Sequence, residues 1–448
     1  MRCYTWSWAL MLAGCTGGTI TSNVGDGAAS DVRSGPDGQA SGDTRLSGDP
    51  SFPGGEPHPM GDLGPDIIDA VIAAMPENSW KSLPNTPMAA VCPTSLNHYS
   101  CDYVMAAWGG GAYDSVRDRL IIFGGGHADS FYNNVFAFDL STSQWLRLTE
   151  LPTPLDNLPD GTALPAAFTD IRIESCGLYP NTLSLNIPAE WLTPTGYLEH
   201  ARCDEPSIAA QLDPQQPRSV HSYGNIAYSP TTQAFYNLGS SALFQSGQCT
   251  AVRMMAFDFD TQLWSRKADN VHIQIGGASA TAGNGHIFYI VNGGLYEYDP
   301  NADTWTTHES GAAAESYYAG AAVDTVRNHL LVTDDGQHLQ QWALGTIDLP
   351  LTSIATTGLS APLNSQLGFE YVTSLDRFVA WAGGSTVYFL HPTTLAWTAV
   401  TTGGDAPGEF PSNGVYGRIR YSPRHNVLVL ARSTSENVLL YKLPATAP

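Results

Sequence analysis

The sequence predicts an all-β chain: a single β-propeller of four-stranded blades, reached through an export signal and a polar tether. Three observations predict it. One segment grammar recurs six times, a tryptophan closes most copies, and the last copy lacks a strand that the N-terminal region can supply.

Each copy opens on small or aromatic residues and runs into a first apolar strand. A tight turn and a second, strongly apolar strand follow, then a third strand and a fourth that carries the tryptophan. The clearest copy is Gly111-Ala112-Tyr113-Asp114, a turn through Arg117-Asp118-Arg119, the run Leu120 to Phe123, Gly124-Gly125-Gly126, Val135 to Asp139, and Gln144-Trp145. The order recurs from Ile226 to Trp264, from Gly276 to Trp305, from Ala321 to Ile354 without a tryptophan, and from Phe369 to Trp397. The sixth copy starts at Ile419 and stops at Tyr441, one strand short. Ser79-Trp80-Lys81-Ser82-Leu83 reads as the missing outer strand, so the two chain ends meet in one blade. A four-stranded sheet of this size cannot bury its faces alone, so the units stack around an axis. Closing the ring removes exposed sheet edges.

Trp145 to Trp264 spans about 120 residues, far more than one repeat. Residues 150–219 are therefore read as an insertion rich in proline and cysteine, with a seventh, degenerate blade as the alternative. The Gly-Gly ending of the second strand and the tryptophan of the fourth resemble kelch repeats and the galactose-oxidase-like propellers. That resemblance runs over about residues 79–444 and implies the fold; propellers of this type serve oxidases, lyases, isomerases and plain binding modules.

The ends fix the organisation. Arg2, the apolar run Tyr4 to Leu12 and Leu12-Ala13-Gly14-Cys15 have the form of a bacterial lipoprotein signal, with Cys15 as the lipidated residue. The run is too short for a permanent span. Thr16 after the cysteine favours the outer membrane as the address, facing the periplasm or the cell surface. Residues 16–64 are Gly, Ser, Asp, Thr and Pro with few large apolar side chains, the composition of a flexible tether. Residues 65–448 hold the propeller.

Formal net charge is −22, from 42 acidic against 20 basic residues, which argues against nucleic acid as a partner. A glycan is the expected partner and a monomer the expected state. Cys92 with Cys101 and Cys176 with Cys203 are close enough in sequence to staple loops in an oxidising compartment, leaving Cys249 over. No zinc-type spacing, phosphate loop or nucleophile elbow occurs, so no metal ligand or cofactor is assigned. Asp334-Asp335 reads as a turn, with a structural calcium as the alternative.

Propeller topology places the openings of first strands, the links from second to third strands, and the ends of fourth strands at one mouth of the channel. His127 lies on such a link, after three glycines. His221 and Tyr223 open a first strand, beside Arg218. Asn97, His98, Tyr132, Asn413 and Arg418 fall into the same classes. Histidine, tyrosine and arginine together suit proton abstraction next to a carboxylate: arginine neutralises the acid, and histidine or tyrosine moves the protons. The set broadly resembles that of propeller lyases acting on uronate-containing polysaccharides. The expected function is thus a surface lipoprotein that acts on carbohydrate by β-elimination, with His127, His221 and Tyr223 catalytic and the others holding substrate. The alternative is a non-catalytic module that binds glycan or protein.

Overall fold

A computed structural model describes residues 67–93, 100–125, 132–150, 171–174, 177–180, 217, 219–239, 254–268, 276–291, 293–310, 318–333, 338–346, 352–360, 363 and 366–448. Six four-stranded sheets form a ring, and their first strands lie innermost.

Blade one comprises Gly110–Asp114, Arg119–Phe123, Phe136–Asp139 and Gln144–Arg147. Blade two is Ile226–Ser229, Ala234–Asn237, Met255–Asp258 and Leu263–Arg266. Blade three is Ala278–Thr281, Ile287–Val291, Gly294–Asp299 and Thr304–Ser310. Blade four follows with Gly320–Asp324, His329–Thr333, His338–Ala343 and Thr352–Ala355. Blade five is Gly368–Val372, Arg377–Trp381, Thr386–Leu390 and Trp397–Thr401. Blade six takes Ile419–Ser422, Val427–Leu430 and Leu439–Lys442 from the C-terminal end and Ser79–Ser82 from the N-terminal end.

That shared blade closes the ring as the sequence predicts. Ser79 to Ser82 pair antiparallel with Lys442 to Leu439, and Trp80 faces Tyr441. A short fifth strand, Gly403–Gly404, runs parallel on the outer side of Ser79 and Trp80. In the region of the insertion, Ile171–Glu174 and Gly177–Pro180 form an antiparallel pair. They add no seventh four-stranded blade among the described residues.

The second strands read as unbroken apolar runs because both of their faces are buried. Side chains alternate across a strand, so each run serves two cores. In blade one, Leu120 and Ile122 pack toward blade six, while Ile121 and Phe123 pack toward blade two. In blade five, Phe378 and Ala380 face blade four; Val379 and Trp381 face blade six. The apolar core is thus a set of wedges between blades. The closing tryptophans Trp145, Trp264 and Trp397 are buried in three of them.

The turns are fixed by polar side chains. Asp114 Oδ1 accepts from the Val116 and Arg117 N–H groups, and Asp324 does the same for Val326 and Arg327. A tyrosine then clasps the residue five positions on. Tyr371 donates to Asp376 at 2.6 Å, Tyr298 to Asp303 at 2.7 Å and Tyr421 to Asn426 at 3.1 Å, with Tyr113 on Asp118. Each acceptor sits in the left-handed region, which Asp and Asn tolerate better than other side chains. At the ring closure the same clasp joins the chain ends, Tyr441 to Asn78 at 2.9 Å.

A helix, Ile67–Ala74, precedes the closing strand, and Ile68 enters the core between blades six and one. A single turn, Tyr103–Ala106, leads into blade one. Cys92 and Cys101 form a disulfide. Among the described residues, no helix is long and apolar enough to cross a membrane.

Candidate functional site

The openings of the inner strands define the mouth. Three of them begin on an aromatic residue with left-handed backbone: Trp108 (φ 49°), Tyr223 (φ 42°) and Tyr416 (φ 39°). A bulky side chain there is a genuine outlier, costing about 1–3 kcal/mol each, and such strain collects at binding sites. All three belong to one aromatic cluster with Tyr318, which opens blade four. Tyr223 stands at its centre, its ring 5.3 Å from Tyr416, 6.1 Å from Tyr318 and 6.3 Å from Trp108. His221 lies against Trp108 at 4.6 Å and is 6.0 Å from Tyr223. Trp108 and Tyr318 are half-buried, whereas His221 and Tyr223 are only 5% and 3% exposed. The indole and the Tyr318 ring are thus the more exposed members of the group, and His221 and Tyr223 the buried ones.

Backbone contacts hold the strained residues. Tyr223 N–H donates to the Trp108 carbonyl at 2.8 Å. Ser222, between His221 and Tyr223, accepts from Gly110 N–H and donates to the Phe123 carbonyl, both at 2.8 Å. Gly110 must be glycine, since a Cβ would fall 1.8 Å from the Tyr223 carbonyl oxygen. Gly125 N–H reaches the Val220 carbonyl at 3.0 Å, so blade one's second strand ends beside the His221 segment.

His221 and Tyr223, both expected to be catalytic, lie side by side ahead of the first strand of blade two. His127, Arg218, Asn97 and His98 lie outside the described residues, as do Cys15, Cys176, Cys203 and Cys249. Asn413 donates to the Ala106 carbonyl at 2.7 Å, tying the link before blade six to the turn before blade one. Tyr132 is buried in the core between blades six and one.

Arg418, expected to hold substrate, is 1% exposed. Its guanidinium donates to the carbonyls of Gly109 (2.8 Å), Ala431 (2.9 Å), Arg432 (2.6 Å) and Gly414. Burial pushes its pKa down to about 10. It clamps blade six to the entrance of blade one, and its bonds go to main chain.

Further along the first strand of blade six, Arg420 links blade six to its neighbours, blades one and five. It donates to the Gly417 and Gly111 carbonyls at 3.1 and 3.0 Å and pairs with Glu370 at 2.9 Å. A cavity of about 260 Å³ continues from there toward the opposite face, past Ser279, Thr281, Thr325 and Thr373. Its two charges satisfy each other, and the Ser279 and Thr281 hydroxyls are bound to the Ile226 and Tyr228 carbonyls. Among the described residues no group of histidines, cysteines and carboxylates could hold a metal ion.

Sequence reasoning missed Trp108 and Tyr416. Each precedes a glycine just ahead of an inner strand, Trp108-Gly109-Gly110 and Tyr416-Gly417, and that pattern was the available signal.

No family model and no curated protein matches this chain. Among solved structures, it is similar to a chain in the crystal structure of a mitotic checkpoint complex, with 10% identity, a TM-score of 0.40, and 89% of this chain and 99% of that chain covered.

Proposed function

We propose that this protein binds carbohydrate at the strand-opening mouth of the propeller, with sugar rings stacked on Trp108 and Tyr318. One observation carries the reading: three aromatic residues are held in left-handed backbone within a single cluster at the openings of the inner strands. Strain of about 1–3 kcal/mol per residue persists only where the surroundings over-determine it, and aromatic faces offer apolar contact with a polar rim. The signal-like N-terminus and tether support an exported lipoprotein anchored through Cys15, which would present this mouth at a membrane surface.

The 6.0 Å spacing of His221 and Tyr223 supports a second reading, a polysaccharide lyase. Both would then move protons at one uronate unit: one side chain removes the proton next to the carboxyl group, and an acid protonates the departing glycosidic oxygen. The test is titration calorimetry against a panel of neutral and acidic oligosaccharides, with product absorbance for unsaturated uronate followed in parallel. The binding reading expects Trp108→Ala to weaken binding by about 10-fold or more, the scale of one lost aromatic platform. Binding without product leaves the module reading. Product that disappears in folded His221→Ala establishes the lyase. If no glycan in the panel binds, or Trp108→Ala binds as the wild type does, the proposal fails.

A further inference from the structure

The seam between blades six and one carries a charged triad that the mouth does not use. His425 lies in the first turn of blade six, and its side chain is 2% exposed. Its Nδ1 is 2.9 Å from Oδ1 of Asp69, on the helix Ile67–Ala74, and its Nε2 is 2.7 Å from Oδ2 of Asp118, in the first turn of blade one. Asp118 is 2% exposed and Asp69 about half exposed. A neutral imidazole has one N–H and one lone pair, so it can satisfy one carboxylate and repels the other. Only the imidazolium, hydrogen-bonded to Asp69 through Nδ1 and in close charge contact with Asp118 through Nε2, is attracted to both. The remaining groups at the site reinforce this. Tyr113 and Ser422 both donate to the other oxygen of Asp118, which keeps that carboxylate ionised. Lys442 donates to the Ile72 and Met75 carbonyls and holds the far end of the helix without touching the triad.

We propose that His425 is a pH-sensitive latch that fastens the N-terminal helix to the seam between blades six and one, closed while the imidazole is charged and released once it is neutral. The helix leads within a few residues into Ser79–Ser82, the strand that closes the ring. Release would free the helix end nearest the triad, while the strand keeps its ladder, the Tyr441–Asn78 clasp and the Lys81–Asp405 pair. The direction follows from competing effects on His425. Burial lowers its pKa, but Asp118 and Asp69 outweigh burial and leave it raised. A raised folded value means the latch contributes fully below the free-histidine value of about 6.5 and is lost as pH climbs through the folded value. Asp118, held below the usual carboxylate range against its own burial by His425, Tyr113 and Ser422, sets the acid limit.

The test is hydrogen exchange of residues 67–75 in the full chain from about pH 6 to about pH 10, corrected for base catalysis of exchange itself. Between the free and folded histidine values the opening constant should rise by up to about 10-fold per pH unit and then level off, because one proton is lost on opening. His425→Gln cannot titrate and should show a raised, pH-independent opening constant. Asp69→Asn, at a half-exposed site, should fold normally and shift the midpoint toward that of a free histidine. A flat wild-type profile, a wild-type response in His425→Gln, or an unmoved midpoint in Asp69→Asn would each overturn the proposal.

Discussion

Replacing Arg418 by methionine should destabilise the propeller by about 3–5 kcal/mol, the cost of breaking a buried charged network on one side only. Arg418 makes four hydrogen bonds to main-chain carbonyls, on Gly109, Gly414, Ala431 and Arg432, that come from three separate stretches of chain. Bonds to a charged donor contribute about 1.5–3 kcal/mol each, so the gross loss is roughly 6–12 kcal/mol. Relief of guanidinium desolvation offsets part of it, and that relief is real because burial already depresses the group's pKa to about 10. Methionine matches the volume of the aliphatic stem but leaves three buried acceptors and one part-buried acceptor unpaired, and unpaired acceptors decide the sign. The assay is urea unfolding followed by tryptophan fluorescence and far-ultraviolet circular dichroism together. With m of about 3 kcal/mol per molar for a domain this large, the midpoint should fall by about 1 M or more. Arg418→Lys should recover less than half, since one ammonium cannot reach all four carbonyls. A loss under about 1 kcal/mol would show that these carbonyls find water when the guanidinium is gone, and the clamp argument would be refuted.

Two further outcomes are expected. Trp80→Ala removes a fully buried ring packed 5.0 Å from Tyr441 and 6.3 Å from Trp381, and should cost about 3–5 kcal/mol while opening the N-terminal end to proteolysis before the other blades; cleavage starting elsewhere would contradict the closure. Cys15→Ala should move the protein from the membrane fraction to the soluble fraction and abolish metabolic labelling with fatty acid, and a label that persists would remove the lipid anchor from the account.

The blades are legible in the sequence because their signals are local. Leu120 to Phe123 alternates between two apolar wedges, Asp114 caps its own turn, and Tyr371 reaches only five residues to Asp376. The closing strand is legible for a topological reason: a sixth unit that ends at Tyr441 needs an outer strand, and Ser79–Ser82 supplies it. The mouth is half legible. His221 and Tyr223 stand at a strand opening that the repeat grammar identifies, but Trp108 and Tyr416 act through left-handed backbone, which composition does not encode. Arg418 shows the limit most clearly. An arginine at a strand opening looks like a ligand for carboxylates, yet its guanidinium is occupied by Gly109, which lies 309 residues away. The triad of Asp69, Asp118 and His425 is invisible for the same reason, since its members are brought together only when the ring closes.

The aromatic mouth is the proposed meeting place of glycan and protein. A crystal structure with a bound oligosaccharide tests this most directly. A sugar ring stacked on Trp108 or Tyr318, above His221 and Tyr223, is the predicted result. A glycan seated in the lower cavity beside Arg420 and Glu370, or on the outer strands of the blades, would contradict it.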